Sequence, residues 1–435
     1  MLERLKGVAI DVTPIRESRD FRLLAGGEIC ASLGTQAALV ALPFQLYVLS
    51  RSAAIVGLLG AFELGPMIVV GLVGGALADR YDRRLMLALA QVGVVVVASA
   101  LVAVSLAGRP HVLVLLILGG LLAGCSALDG VSRAALVPSI LGPERMRAGI
   151  AFNYGTMQAT AIAGPGLGGL LIGVTGVASI YAFDGASCLV MLGAALAMAP
   201  QRPLARGGHP PVGQAIMEGL RFVGSDRALA GSYVIDIGAM MFGMPRALFA
   251  VLSLTVYHAG AGGTGALYAA IAAGGTVAVL SSGWVVNARR LGRITIICVT
   301  FWGLAIVGAG LVRSIGPAVL LLGFAGWADG ISAVCRSTVT QTLTPDRLRG
   351  RMSAVYSLVV TSGPRFGDIQ SGLVASAIGA LNAVVAGAGA CLVGVVGTLV
   401  AFPALERYDA ERAVAAIAAG DGGEAAAAER EALRA

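Results

Sequence analysis

Gly75-Ala76-Leu77-Ala78-Asp79-Arg80-Tyr81-Asp82-Arg83-Arg84 sits between two long apolar runs, 53–78 and 85–107, and gathers five charges into its last six positions. A run of about 20 mainly apolar residues is long enough to cross a bilayer as a helix, so this stretch reads as a short polar connection between two membrane helices. The same alternation extends outward in both directions. Further runs fall at 21–49, 112–138, 148–174 and 177–199, and a second set at 228–257, 263–287, 293–312, 317–342, 350–376 and 380–402. Composition agrees: of 435 residues, 57% are hydrophobic and 13% charged, against about 45–50% and 25% in soluble domains. A water-soluble enzyme, a disordered chain and a disulfide-stapled secreted domain are all excluded. The fold class expected is an all-α membrane protein, with twelve transmembrane helices in two pseudo-symmetric six-helix bundles.

Basic residues orient it, because Lys and Arg in short loops stay on the cytoplasmic side. Only Arg51, Arg109 and Arg313 lie on one set of alternate connections, and Arg133, Arg246, Arg336 and Arg365 lie within runs. The remainder of the 31 basic residues fall on the other connections and the two ends. Both termini are therefore expected in the cytoplasm. Residues 1–20 form the cytoplasmic N-terminus, 21–199 the first bundle, 228–402 the second and 403–435 a cytoplasmic tail. Between the bundles, residues 200–227 carry Pro200, Pro203, Pro210 and Pro211, then Ile216, Leu220 and Val223 at helical spacing opposite Glu218 and Arg221. That is a linker ending in an amphipathic surface helix.

The net charge of +7 is spread among loops, which argues against nucleic acid. Six cysteines lie singly in apolar runs and three histidines lie in connections, so no disulfide framework or metal site is expected. No cleavable leader is read at the N-terminus. Lys6 is the only lysine, which points to a GC-rich bacterial gene and hence a bacterial inner membrane.

An internal repeat is visible. Pro143-Glu144-Arg145-Met146-Arg147 returns as Pro345-Asp346-Arg347-Leu348-Arg349 at an offset of 202. Asp129-Gly130 returns as Asp329-Gly330 at 200, Gly164-Pro165-x-x-Gly168 as Gly363-Pro364-x-x-Gly367 at 199, and Gly75-x-x-x-Asp79 as Gly283-x-x-x-Asn287 at 208. Two halves of the same polarity follow.

The 75–84 connection resembles the signature loop between helices 2 and 3 of the major facilitator superfamily, and with the twelve runs and the repeat the likeness covers about residues 20–402. The resemblance implies a cytoplasmic gate of Gly75, Asp79, Arg83, Arg84, Asp129 and Arg133. Asp79 and Arg83 would latch the outward-facing state, Asp129 being their partner and Gly75 a close-packing position. Asp82 stands where the family usually has Gly, and Asn287 replaces the second-half acid. Gly164-Pro165-Gly166-Leu167-Gly168-Gly169 is similar to the helix 5 motif of exporters in this superfamily. Leu267-Tyr268-Ala269-Ala270-Ile271, Gly326-Trp327 and Thr344-Pro345 resemble the siderophore-exporter branch and its drug-efflux cousins.

Charge inside a span is costly and therefore informative. Glu28, Glu63, Asp129, Asp184, Asp236, Asp329 and Asp368 lie there, with four arginines to meet them. Asp129 and Arg133, Arg365 and Asp368, and Asp329 and Arg336 share helix faces by spacing. Arg246 is ten residues from Asp236, about 15 Å along a helix, so Glu63 is its expected partner. That leaves Glu28, Asp184 and Asp236 without a cation. An unpaired buried carboxylate takes up a proton rather than stay bare, and Asp236 is the preferred carrier because Met240, Met241 and Met244 beside it suit a pocket for a bulky ligand. Asp184 is expected near the outer surface.

The function expected is proton-coupled antiport of a small organic molecule, a siderophore or a lipophilic drug, by alternating access. Import or lipid flipping on the same fold is the alternative. The candidate coupling and cavity residues are Glu28, Glu63, Asp236, Met240, Met244, Arg246, Arg365 and Asp368. Gly164, Pro165, Gly168 and Gly169 form the helix 5 motif. No cofactor beyond the proton gradient, no nucleic acid and no enzyme activity are expected, and the partners are the substrate, protons and the bilayer around a monomer. No GK[ST] phosphate loop occurs.

Overall fold

A computed structural model describes residues 13–78, 80–108, 110–201, 212–345 and 348–409. Every regular element among them is helical. In chain order they are α1 (Thr13–Glu17), α2 (Arg19–Ser50), α3 (Ala53–Ala78), α4 (Arg83–Leu106), α5 (Val112–Gly142), α6 (Ala148–Thr175), α7 (Val177–Ala197), α8 (Val212–Ser225), α9 (Arg227–Phe242), α10 (Phe249–Thr255), α11 (Gly260–Ser281), α12 (Leu291–Leu311), α13 (Ile315–Leu343), α14 (Arg349–Ile378), α15 (Ala380–Ala401) and α16 (Pro403–Arg407). The predicted runs and the observed helices agree to within a few residues, except that the run 228–257 breaks at 243–245, so that Arg246 does not continue the helix of Asp236.

Among the described residues, eleven helical segments are long and apolar enough to cross a membrane. α14 has the length, at 30 residues, but Arg349, Arg351, Arg365 and Asp368 lower its hydropathy below the others. Outward side chains such as Leu170 at 62%, Leu280 at 75% and Val400 at 79% exposure are apolar, a surface that water would not tolerate and lipid does.

Local chemistry sets the helix ends. Ser18 Oγ accepts from the Phe21 N–H at 3.2 Å, Asp82 Oδ1 from Arg84 N–H at 3.0 Å and Asp226 Oδ1 from Leu229 N–H at 2.8 Å, each satisfying a first-turn donor. At the α5/α6 junction Gly142 adopts φ 66°. Only glycine takes that conformation cheaply, and the following Pro143 has no N–H to continue the helix.

The chain forms two compact units. One takes in the described parts of Met1–Gly208 with Arg246–Ala269, the other those of His209–Pro245 with Ala270–Ala435. In the first, α2 packs on α5, α6 and α7, α3 on α5, and α4 on α7. In the second, α12 packs on α13 and α15, and α9 on α14 and α15. The predicted linker helix is present as α8. It rests on α14 with Val223 buried beside Leu229, Met352 and Val355, and Glu218 paired with Arg351.

Candidate functional site

The two repeated Gly-Pro segments sit at helix crossings. In the first unit a Cβ at Gly164 or Gly168 would strike Gln36 and Ala37 of α2, and one at Gly169 the Ala261 carbonyl. In the second, a Cβ at Gly367 would strike the Met240 carbonyl, and Gly363 faces the Met240 side chain. Small residues let backbones meet without a side chain between them. Gly168→Ala should therefore cost about 1–3 kcal/mol as overpacking, lowering the melting temperature of purified protein. Gly166→Ala, whose Cβ meets open space, should melt as the parent does; equal melting of both variants would refute the crossing.

Close to these crossings each unit buries a cluster of charge. In the first, Arg133 on α5 makes a two-pronged contact with Asp129, Nη2 to Oδ2 at 2.6 Å and Nε to Oδ1 at 3.0 Å. Its Nη1 reaches Glu28 Oε1 of α2 at 3.5 Å and Ser32 Oγ at 3.2 Å. Gln91 Nε2 of α4 donates to Asp129 Oδ1 at 2.6 Å, and the Asn153 amide nitrogen, turned toward Glu28, donates to that carboxylate. A cavity of about 420 Å³ opens beside this cluster, lined by Ser32, Thr35, Gln36, Gln91, Asp129 and Arg133 among others. Its lining is rich in hydroxyls and amides, so it can hydrogen-bond a polar ligand.

In the second unit Arg336 on α13 bridges Asp236 of α9, at 2.9 Å, and Asp329 of its own helix, at 3.5 Å, while its Nη1 donates to Ser332 Oγ at 2.7 Å. Asp236 and Arg336 are buried at 3% and 4% exposure. Both clusters thus set one guanidinium between two carboxylates, one acid from the guanidinium's own helix and one from another.

This corrects three expectations. Glu28 and Asp236 are ion-paired, not left over: the spacing rule saw only partners on the same helix, and the second acid of each cluster arrives from another helix. Asp184 is no surface group, being 0% exposed. Gly75 is not a close-packing position, since a Cβ there meets nothing within 4 Å, and Gly74 faces Leu128 instead. The same-helix pairs Asp129–Arg133 and Asp329–Arg336 are found, and Arg365 Nη1 lies 3.6 Å from Asp368 Oδ2. The α3 helix bearing Glu63 packs on the turn that begins at Arg246, whose carbonyl accepts from Tyr268 at 3.1 Å. Met240 and Met244 are half-buried.

At the signature loop, Asp79 lies outside the described residues. Arg83 does not reach Asp129. Its Nη1 donates to the Ala135 carbonyl at 3.0 Å and to Ser139, both on α5, while Asp129 is occupied by Arg133 and Gln91. Arg84 Nη1 donates to the Met198 carbonyl at 2.7 Å, and Asp82, in the place of the usual Gly, accepts from Gln201 N–H at 3.1 Å as well as capping α4.

A loop arginine that ties α4 to the end of α5, twin acid–arginine–acid clusters and Gly-Pro crossings in both units describe a duplicated transporter scaffold, and a family model described as transmembrane secretion effector matches residues 10–418. The chain belongs to this family of the major facilitator superfamily. It is a transporter, not an enzyme, and a multi-pass protein of a bacterial inner membrane. The enterobactin exporter of Citrobacter koseri is 29% identical over 357 residues, 82% of this chain and 85% of its own length. That of Salmonella choleraesuis is 29% identical over 364 residues, 83% of this chain and 87% of its own length. Among solved structures, the nucleoside transporter NupG superposes with a TM-score of 0.73 at 10% identity, covering 88% of this chain and all of its own. A bacterial homologue of the lysosomal transporter Spinster, inward-facing and unoccupied, gives 0.67 at 15%, covering 92% and 98%. These structures share the fold of this transporter.

Sequence reading missed Gln91, Asn153, Ser32 and Ser332 as supports of the clusters. It also missed that Glu28 and Asp236 correspond. The signal was present, because they are 208 residues apart, the offset that relates Gly75 to Gly283.

Proposed function

We propose that this transporter exports a small organic molecule, a siderophore or a lipophilic drug, in exchange for protons, as a twelve-span monomer that alternates access between its two six-helix bundles. The observation that carries the direction and the substrate class is similarity to enterobactin exporters across more than four-fifths of the chain. α14 supplies the twelfth span; its arginines sit toward its start, near a membrane surface, or pair within the helix as Arg365 does with Asp368. Both termini and the 200–227 linker lie in the cytoplasm, with Asp79, Arg83 and Arg84 at the cytoplasmic gate.

Coupling follows from charge. Two carboxylates around one guanidinium carry a net negative charge, and in a bundle closed to water that charge is costly. One proton neutralises the cluster, so closure favours the protonated form and rehydration releases the proton. Glu28 and Asp236 are the acids placed to take it, each being the member that comes from a different helix than the arginine. The proton gradient is the energy source, and no cofactor takes part.

In everted membrane vesicles with an acid interior, apo-enterobactin should accumulate and a protonophore should abolish the accumulation. Uptake confined to right-side-out vesicles would make the protein an importer, and movement of a fluorescent phospholipid instead would make it a flippase. For topology, a reporter fused after Arg434 or within 201–211 should report the cytoplasm, and one between His258 and Gly263 the exterior. An external C-terminal reporter would overturn the orientation.

A further inference from the structure

The first unit holds one more carboxylate, which the cluster around Arg133 does not use. Asp184 on α7 is completely enclosed. Its Oδ1 accepts from Thr35 Oγ1 of α2 at 3.1 Å and lies 3.8 Å from Cys188 Sγ. Its Oδ2 is buried with no hydrogen-bond partner, and no basic side chain among the described residues pairs with it.

The helices packed against α7 present few other titratable groups. Glu28 comes from α2 and Asp129 and Arg133 from α5, and these three are occupied with one another. α4 contributes the neutral Gln91. On α7 itself Cys188 lies one turn away, and Tyr181 one turn the other way. Tyr181 donates to Gln45 Oε1 at 2.8 Å, and Gln45 Nε2 donates to Ser105 Oγ at 2.9 Å. That chain of hydrogen bonds passes through an amide, which does not relay protons as a hydroxyl does. It lies toward Tyr181, one turn along α7 from Asp184. On the other side Thr35 and Cys188 are both part of the cavity lining, whereas Asp184 is not. The carboxylate therefore stands one side chain behind the cavity wall.

We infer that Asp184 is a second proton-binding site of this unit, filled and emptied through Thr35 from the polar cavity. The step balances within the geometry. A hydronium ion in the cavity gives a proton to Thr35 Oγ1 and is left as water, while the hydroxyl proton, already aimed at Asp184 Oδ1, moves onto the carboxylate. Thr35 ends unchanged, Asp184 becomes the neutral acid, and the reverse returns the proton to the cavity. Two acids of different surroundings then stand behind the wall of one chamber, Glu28 behind Arg133 and Asp184 behind Thr35. The use of this proton in transport rests on the proton-coupled reading above; the existence of the site does not.

The test needs no substrate. Infrared difference spectra of the full-length protein in liposomes, taken between alkaline and mildly acidic pH, should show a carboxylic-acid carbonyl component that is lost in Asp184→Asn and kept in Glu28→Gln. In Thr35→Val the band should remain but shift on transfer to heavy water about tenfold more slowly, as one hydrogen bond is removed from the path. A carbonyl spectrum unchanged in Asp184→Asn overturns the inference, and so does exchange at the parent rate in Thr35→Val. If Asp184→Asn does not fold, the exchange rate of Thr35→Val decides alone. A protein that fails to export enterobactin yet shows the band retains this site and loses only the transport reading.

Discussion

Arg336→Gln is expected to abolish transport and to lower the melting temperature of the purified protein sharply, by the equivalent of about 3–5 kcal/mol. Arg336 is the cation against which both Asp236 and Asp329 are set. The Asp329 side chain is about one-third exposed, at 35%, and can turn to water, but that of Asp236 is 4% exposed and cannot. Without the guanidinium, Asp236 is either a bare buried charge or a proton-bound acid in every state of the cycle. Adding Asp236→Asn should recover most of the lost stability, because the stranded charge goes with it, while transport stays absent. Thermal melting of the two variants against the parent measures both statements. A single variant that melts with the parent would mean that Asp236 has another partner, and the cluster would lose its claim on the site.

Asp236→Asn and Glu28→Gln form the second test. Each amide has the shape and charge of the protonated acid, so each variant holds one cluster permanently in its neutral form. Arg336 keeps Asp329, and Arg133 keeps its two contacts with Asp129, so folding should survive. Exchange of labelled against unlabelled enterobactin across the membrane should continue, since it requires alternation but no net proton movement. Net export driven by a pH gradient should fall to background in at least one of the two variants. The variant that loses it names the bundle that couples, and loss in both means that each bundle carries a proton. Should Asp236→Asn export with the parent's pH dependence, Asp236 is out of the coupling and Glu28 or Glu63 takes its place, which the same assay on Glu63→Gln resolves.

What could be read from the amino-acid order was whatever depends on one helix at a time. Apolar runs of bilayer length located the helices, and charged clusters or glycine and proline turns located their ends. Asp129 with Arg133 and Arg365 with Asp368 were legible because three- and four-residue spacings bring side chains together on any α-helix, whatever surrounds it. The offsets near 200 exposed the duplication.

Contacts between helices depend on how each is rotated and how deep it lies, and the pattern could not express that in helices apolar on nearly every face. α2 had to pack on α5 before Glu28 could meet Arg133, and α9 had to lie beside α13 before Asp236 could meet Arg336. The enclosure of Asp184 behind Thr35, and the open space at Gly75 beside a crowded Gly74, are decisions of the same kind. Sequence by itself determined a duplicated, multi-span helical transporter and the inventory of its buried charges. Which charges neutralise one another, and which carboxylate is left behind the cavity wall, was decided by tertiary packing, because a buried ion finds its partner in space.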